Sequence, residues 1–153
     1  MNTTHRALAG AAALGAVAAL SACGTSQPIT GSSVEASLTP AFTRLYLQQQ
    51  RELGHPGVTA ATVHPSSACD RGGPRVADTG AGSDWICMVT FDDETGAQQV
   101  GKFELQVHAS SCYTVSGPAS LLGSFTITDT AGKDVTNPVN AFDVCMDPDA
   151  TSA

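Results

Sequence analysis

Basic side chains are scarce in this chain of 153 residues: 7 Lys and Arg stand against 14 Asp and Glu, for a net charge of −7. Six of the seven, Arg44, Arg51, Arg71, Arg75, Lys102 and Lys133, are scattered, and the seventh is Arg6. A nucleic-acid surface needs clustered Lys and Arg to displace counterions, so nucleic acid is excluded as a partner. No apolar run reaches the ~20 residues that a membrane-spanning helix needs. There is no C-x-x-C pair, no His-x-His and no His-x-x-x-His. A zinc site or a redox-active thiol pair usually shows such spacing. The Gly-x-Ser-x-Gly turn that exposes a serine nucleophile is also missing.

The N-terminus has a clear pattern. His5 and Arg6 precede an uncharged apolar stretch, Ala7 to Leu20, which then closes on Leu20-Ser21-Ala22-Cys23. The length fits an export signal. Leu, two small residues and Cys in that order resemble the lipobox of bacterial lipoproteins. The resemblance implies that residues 1–22 are a signal peptide and that Cys23 is acylated and becomes the first mature residue. It also implies a membrane partner reached through the lipid anchor, at the extracytoplasmic face of the cell membrane. An ordinary secretory signal cut near Ala22 and an uncleaved anchor are the alternatives. Residues 24–37 are rich in Gly, Ser, Thr and Pro. A tether over residues 23–38 follows, with a reach of ~20 Å if flexible, and a single domain over residues 39–153.

Cys69, Cys87, Cys112 and Cys145 remain once Cys23 is set aside. An even number in an exported chain points to two disulfides. Four cysteines allow three pairings, and the sequential one, Cys69–Cys87 with Cys112–Cys145, is preferred.

Thr39-Pro40 has the form of a helix start, N-cap then first turn. Phe42, Leu45 and Leu53 supply an apolar stripe, Gln48, Gln50, Arg51 and Glu52 a wet face, and Gly54 with Pro56-Gly57 the stop. Val58 to Val63 is expected to be a first strand, and Pro65 to Gly82 to be irregular. Trp85 to Phe91 and Val100 to His108 alternate around the turn Asp92-Asp93-Glu94-Thr95-Gly96, as a hairpin does. Short strands follow at Tyr113 to Val115 and Phe125 to Thr128. Val135 to Val144 then returns after the turn at Thr130 to Lys133, with Pro138 marking an edge or bulge. The expected fold class is α+β: an N-terminal amphipathic helix on one curved antiparallel sheet of about five strands, with two disulfides.

Trp85-Ile86-Cys87, Cys112-Tyr113, Asn137-Pro138 and Phe142-Asp143-Val144-Cys145 are similar to motifs in small actinobacterial envelope lipoproteins of unassigned function. The likeness would cover Cys69 to Cys145. It implies disulfides and an envelope address, and it transfers no catalytic residue, cofactor or metal ligand.

The chain's own residues assemble no catalytic set either. His55 lies in a Gly-His-Pro-Gly turn, His64 precedes a proline, and His108 falls on the polar side of its strand. Each is expected to be a solvated surface histidine. The acidic turn Asp92-Asp93-Glu94 is too short to supply calcium's oxygens. Trp85 and Tyr113, each beside or near a cysteine, are expected in the core. The expected function is a non-enzymatic binding module in the cell envelope, without a cofactor, whose partner is a protein, peptide, glycan or lipid. The alternative is a small extracytoplasmic hydrolase or enzyme accessory acting on the cell wall.

Overall fold

Helix α1, Gly31–Glu52, is the longest element of the computed structural model, which describes residues 28–147. It begins nine residues before the expected start. Thr30, and not Thr39, is the N-cap. Its hydroxyl accepts from the Ser33 amide at 3.1 Å, and its own amide donates to the Ser33 hydroxyl at 2.9 Å. This reciprocal box satisfies two end donors at once. Pro40, expected at the first turn, sits inside the helix on its exposed side. A proline there costs ~3 kcal/mol because it lacks the amide that would bond Ala36. Full burial of Val34 and Leu38 offsets this, at ~1.5–3 kcal/mol each. Residues 31–38 therefore belong to the folded domain and not to a tether.

The C-terminal end is closed as the sequence indicates. Gly54 has φ +89° and donates its amide to the Arg51 carbonyl, while His55 donates to the Gln50 carbonyl at 2.7 Å. This pair of bonds is a Schellman motif, which needs a residue at positive φ, and glycine adopts it without strain.

After the helix, Val58 to Val63 is not a strand. Ala60–Val63 forms the short helix α2, and Val63 plugs into the core. The first strand comes later, β1 at Ser66–Asp70, in the stretch expected to be irregular. It is followed by β2 (Gly82–Asp92), β3 (Gln98–Val107) and β4 (Cys112–Ser116). Next come the short helix α3 (Ala119–Leu122), β5 (Thr126–Thr128), β6 (Asp134–Thr136) and β7 (Ala141–Cys145). The five-stranded sheet is antiparallel in the order β1-β2-β3-β4-β7, while β5 and β6 form a separate hairpin. The α+β class and the five-stranded sheet are as expected. The strand at Thr126–Thr128 lies outside that sheet, and Pro138 sits in the connection between β6 and β7.

Alternation along the strands gives the sheet one dry face. Trp85, Cys87, Val89 and Phe91 of β2, Phe103, Leu105 and Val107 of β3, and Tyr113 and Val115 of β4 are buried. Helix α1 covers them. Phe42 stacks with Tyr46 at 5.6 Å and meets Phe91 and Phe103 at 5.0 and 5.6 Å. On the other face Lys102, Glu104, Gln106 and Thr114 are exposed.

The two disulfides are Cys69–Cys87 and Cys112–Cys145. In each pair the cysteines lie directly opposite on neighbouring strands, with Cα atoms 4.1 and 3.9 Å apart. Strands β1 and β7 are the two edges of the sheet, so each edge is cross-linked to its inner neighbour. One bridge lies on each face. Cys69 and Cys87 are buried under the helix, whereas Cys112 is half-buried and Cys145 exposed.

Candidate functional site

The two hairpin turns are built alike, and one of them borders the site. Asp93 opens the β2–β3 turn. Its Oδ1 accepts from the Thr95 amide, the Thr95 hydroxyl and the Ala97 amide, and its Oδ2 accepts from Gln99 Nε2 at 2.7 Å. These bonds hold the Asp93 carboxyl down at about 2, the Thr95 and Gln99 side chains first among them. Asp129 repeats the arrangement on the Ala131 and Lys133 amides. Both turns close on a glycine at positive φ, Gly96 and Gly132, the three-residue hairpin with a glycine bulge. Asp93 is thus locked by its own turn. Glu94 beside it is exposed and makes no ion pair or hydrogen bond among the described residues.

Helix α1 meets the β5–β6 segment through a buried amide chain. Asn137 is fully buried. Its Nδ2 donates to the Leu122 and Ser124 carbonyls at 2.9 and 3.0 Å, and its Oδ1 accepts from the Val139 amide. Carbonyls only accept and amides only donate, so the Asn137 orientation is fixed. Gln49 Nε2 then donates to Asn137 Oδ1 at 2.9 Å and to the Leu122 carbonyl. This leaves Gln49 Oε1 to accept from Gln50 Nε2 at 3.4 Å. By elimination, Gln50 turns its Oε1 the other way. That oxygen has no partner among the described residues, although Gln50 is only 4 % exposed. Glu52 Oε2 is also buried without a partner, but its other oxygen accepts from Gln48. The sequence reading put Gln50 in water. The β2–β3 turn and α3 cover that end of α1 and bring it inside.

Gln50 lines a pocket of about 380 Å³ between the end of α1, the β2–β3 turn and α3. Tyr46, Phe91, Leu121 and Ile127 form its walls, and His55, Asp93 and Glu94 its rim. The Tyr46 ring is buried, yet its hydroxyl makes no hydrogen bond among the described residues. Burial first, then the charges of Glu94 and Asp93, push the Tyr46 phenol far above its ordinary value. It is a neutral hydroxyl facing two carboxylates. The pocket therefore offers an unused phenol and negative charge at its mouth, while the unpartnered Gln50 Oε1 is itself sealed from solvent.

A second hollow, about 430 Å³, runs between α1 and the end of β7, walled by small residues such as Ser33, Ala36 and Ala41. Above it, Tyr113 Oη and Ser37 Oγ are 2.6 Å apart. Burial pushes the Tyr113 phenol up to about 12, against the opposing effect of Ser37.

The residues singled out by sequence fall as follows. Trp85 and Tyr113 are core, and the Trp85 indole donates to the Gly80 carbonyl at 3.1 Å. His108 is exposed on the far side of the sheet. His64, at a left-handed φ of 42°, pairs through Nδ1 with Asp92 Oδ2 at 2.9 Å, with its side chain 69 % exposed. Such a pair can orient an imidazole, but no hydroxyl or thiol hydrogen-bonds to the ring among the described residues. His55 lies at the rim of the pocket and His64 and His108 elsewhere, so the three histidines do not share a site. Among the described residues no group of three or more His, Cys, Asp or Glu is placed to hold a metal, and no helix is long and apolar enough to cross a membrane. Cys23, the signal over residues 1–22 and residues 23–27 lie outside the described residues. Compared with protein-family models, curated proteins and solved structures, the chain gives no match.

Proposed function

We propose that this chain is a lipid-anchored, extracytoplasmic binding domain that holds a small ligand between the end of α1 and the β2–β3 turn. The observation that carries the binding role is the pocket of about 380 Å³ itself, with Phe91, Leu121 and Ile127 as apolar wall, the Tyr46 hydroxyl unbonded and Glu94 at the rim. A mostly apolar cleft with a few polar groups is the usual form of a small-ligand site. The lipobox-like Leu20-Ser21-Ala22-Cys23 supports the anchor. Disulfides at both sheet edges support an oxidising compartment, where such bonds persist.

Two measurements test the reading. Intact mass of the full chain expressed in a bacterial host should show an acylated N-terminal Cys23, lost in Cys23→Ala. An unacylated N-terminus downstream of Cys23 sinks the anchor. For the binding role, a library of small polar fragments is titrated into the ¹⁵N-labelled full chain in detergent. Hits should move the side-chain amide resonances of Gln49 and Gln50 together. A library in which no compound moves either resonance rules out the pocket as a ligand site.

A further inference from the structure

The two edges of the sheet are finished differently. At β1 the helix takes the outer side: the Cys69 amide donates to Glu35 Oε1 at 2.8 Å, and the Thr39 and Ser67 hydroxyls are 2.6 Å apart. At β7 the outer side is open among the described residues. The Gly117 amide donates to the Asn140 carbonyl, and the Met146 amide to the Ser111 carbonyl. Antiparallel pairs alternate, so Asn140, Phe142, Val144 and Met146 spend their backbone groups on β4, while Ala141, Asp143 and Cys145 turn theirs outward. The 3.9 Å between the Cys112 and Cys145 Cα atoms is the close spacing of a pair without mutual backbone bonds. Outward groups at every second residue are a template for another strand. The hollow of about 430 Å³ borders this edge, lined by Ser33, Ser37 and Arg44 of α1 and by Val144 of β7. It shares no lining residue with the small-ligand pocket.

We infer that β7 takes an extended peptide of a partner protein as a sixth, antiparallel strand, with an acidic side chain at Arg44 and a basic one opposite Asp143. In such strand addition main-chain bonds supply the affinity, and alternate side chains choose the partner. Ser33 Oγ meets Met146 Sδ at 3.5 Å, so the groove runs from Met146 toward Arg44, ~16 Å along the helix. Arg44 is exposed and makes no ion pair or hydrogen bond among the described residues. Peptide residues opposite Phe142 and Val144 share their face, the half-buried helix side. A small apolar residue suits Val144, and an acid opposite Phe142 lies toward Arg44. Asp143 points to the other side, exposed and without a cation among the described residues. A second copy of this chain fits poorly. A two-fold pairing of β7 with itself that uses all three outward positions sets Asp143 against its own copy, and like charges directly opposite destabilise.

The probe is acetyl-Ala-Thr-Val-Lys-Glu-Thr-amide, titrated at neutral pH into the ¹⁵N-labelled full chain in detergent. In the antiparallel register its Val lies opposite Val144, its Lys opposite Asp143 and its Glu opposite Phe142. At about ten times Kd, amide exchange at Ala141, Asp143 and Cys145 should slow ~10-fold, while Phe142 and Val144, already bonded to β4, change little. The isomer with Lys and Glu exchanged should bind ~10-fold more weakly, two exposed charge pairs at ~3-fold each. N-methylation of the Thr opposite Cys145 removes one main-chain donor and should weaken binding ~5-fold. Arg44→Glu should weaken the probe ~3-fold and strengthen, by as much, a probe with Lys in place of Glu. Unaltered melting of Arg44→Glu establishes that the change is not lost folding. If the exchanged isomer or the N-methyl peptide binds as tightly as the probe, strand addition at β7 is overturned. If the three outward amides exchange more slowly as the chain alone is concentrated, a second copy holds the edge and the peptide assignment falls. If millimolar probe slows none of them, β7 is no docking edge, whatever the small fragments do at Gln49 and Gln50.

Discussion

Gln49 Nε2 lies 2.9 Å from Asn137 Oδ1, and through this bond the helix holds the β5–β6 segment inserted between β4 and β7. Both side chains are almost wholly buried. Buried polar groups that are fully bonded specify one arrangement, and removing one partner strands the other.

Asn137→Ala deletes the bonds to the Leu122 and Ser124 carbonyls and leaves Gln49 Nε2 with one acceptor. The expected loss is ~2–4 kcal/mol, from four unmade bonds plus a small cavity. Gln49→Ala should cost ~1–3 kcal/mol. The double variant should cost less than the sum by ~0.5–3 kcal/mol, the coupling of groups in one network. Urea melts of the four proteins measure it, and strict additivity would mean that the bond carries nothing.

The disulfides should differ in the order in which they open. Cys69 and Cys87 are sealed under α1, while Cys145 is exposed. An external thiol must reach the sulfur it attacks. Under graded reductant and alkylation, Cys112 and Cys145 should be labelled first, with Cys69 and Cys87 following only on global unfolding. Loop closure over 18 and 33 residues gives ~3 and ~4 kcal/mol for the two bridges in the chain-entropy account. Peptide mapping at each step reads the order, and simultaneous labelling of all four cysteines would contradict it.

Several features could be seen in the chain before the fold was known. The β2–β3 hairpin shows in the alternation Trp85, Cys87, Val89, Phe91 against Phe103, Leu105, Val107, because a pleated strand with one dry face must alternate. The sequential cysteine pairing was preferred with Cys69 in a stretch expected to be irregular, and it is the strand β1 there that sets Cys69 opposite Cys87. The helix start did not. Gly31-Ser32-Ser33 has the composition of a linker, and its capping box depends on Thr30 and Ser33 bonding each other, which composition does not encode. Pro40 then imitated a first turn. Moving the start back to Thr30 brings Val34 and Leu38 into the buried stripe. Gln50 could not be found as a site residue because a glutamine on a helix is usually wet. It becomes informative only once Gln49 and Asn137 fix which way its amide points. The α2 segment was misjudged because Val58 to Val63 has β-branched residues and no visible turn. A second capping box, Thr59 with Thr62, settles it as helical.

Both tyrosines should titrate late. Burial pushes Tyr113 up to about 12 and Tyr46 higher still, against ~10 in an unfolded chain. The folded form keeps both phenols neutral while the unfolded chain ionises. Stability is therefore intact below about pH 10 and falls as pH rises from there toward about 12. Absorbance at the phenolate band should show no tyrosine ionising near 10 in the folded protein, followed by a steep rise as it unfolds. Tyr113→Phe should remove part of this alkaline sensitivity. A single phenolate titrating near 10 in the native protein would place one ring in water.

Gln50→Leu tests whether the buried Gln50 oxygen is unpaired. Leucine keeps the volume on the helix and removes the oxygen that has no partner. The bond lost with it, Gln50 Nε2 to Gln49 Oε1, spans 3.4 Å and is weak at that length. An unsatisfied buried acceptor costs ~1–3 kcal/mol, and a leucine at this buried position adds apolar burial. The variant should therefore be more stable than the natural chain by ~1 kcal/mol. Gln49→Leu, which removes three hydrogen bonds at the centre of the network rather than at its open end, should go the other way and destabilise. Neighbouring glutamines replaced by the same residue would then shift the urea midpoint in opposite directions. If both substitutions destabilise equally, Gln50 Oε1 is already satisfied in the folded protein, and the argument for an unpaired oxygen is lost.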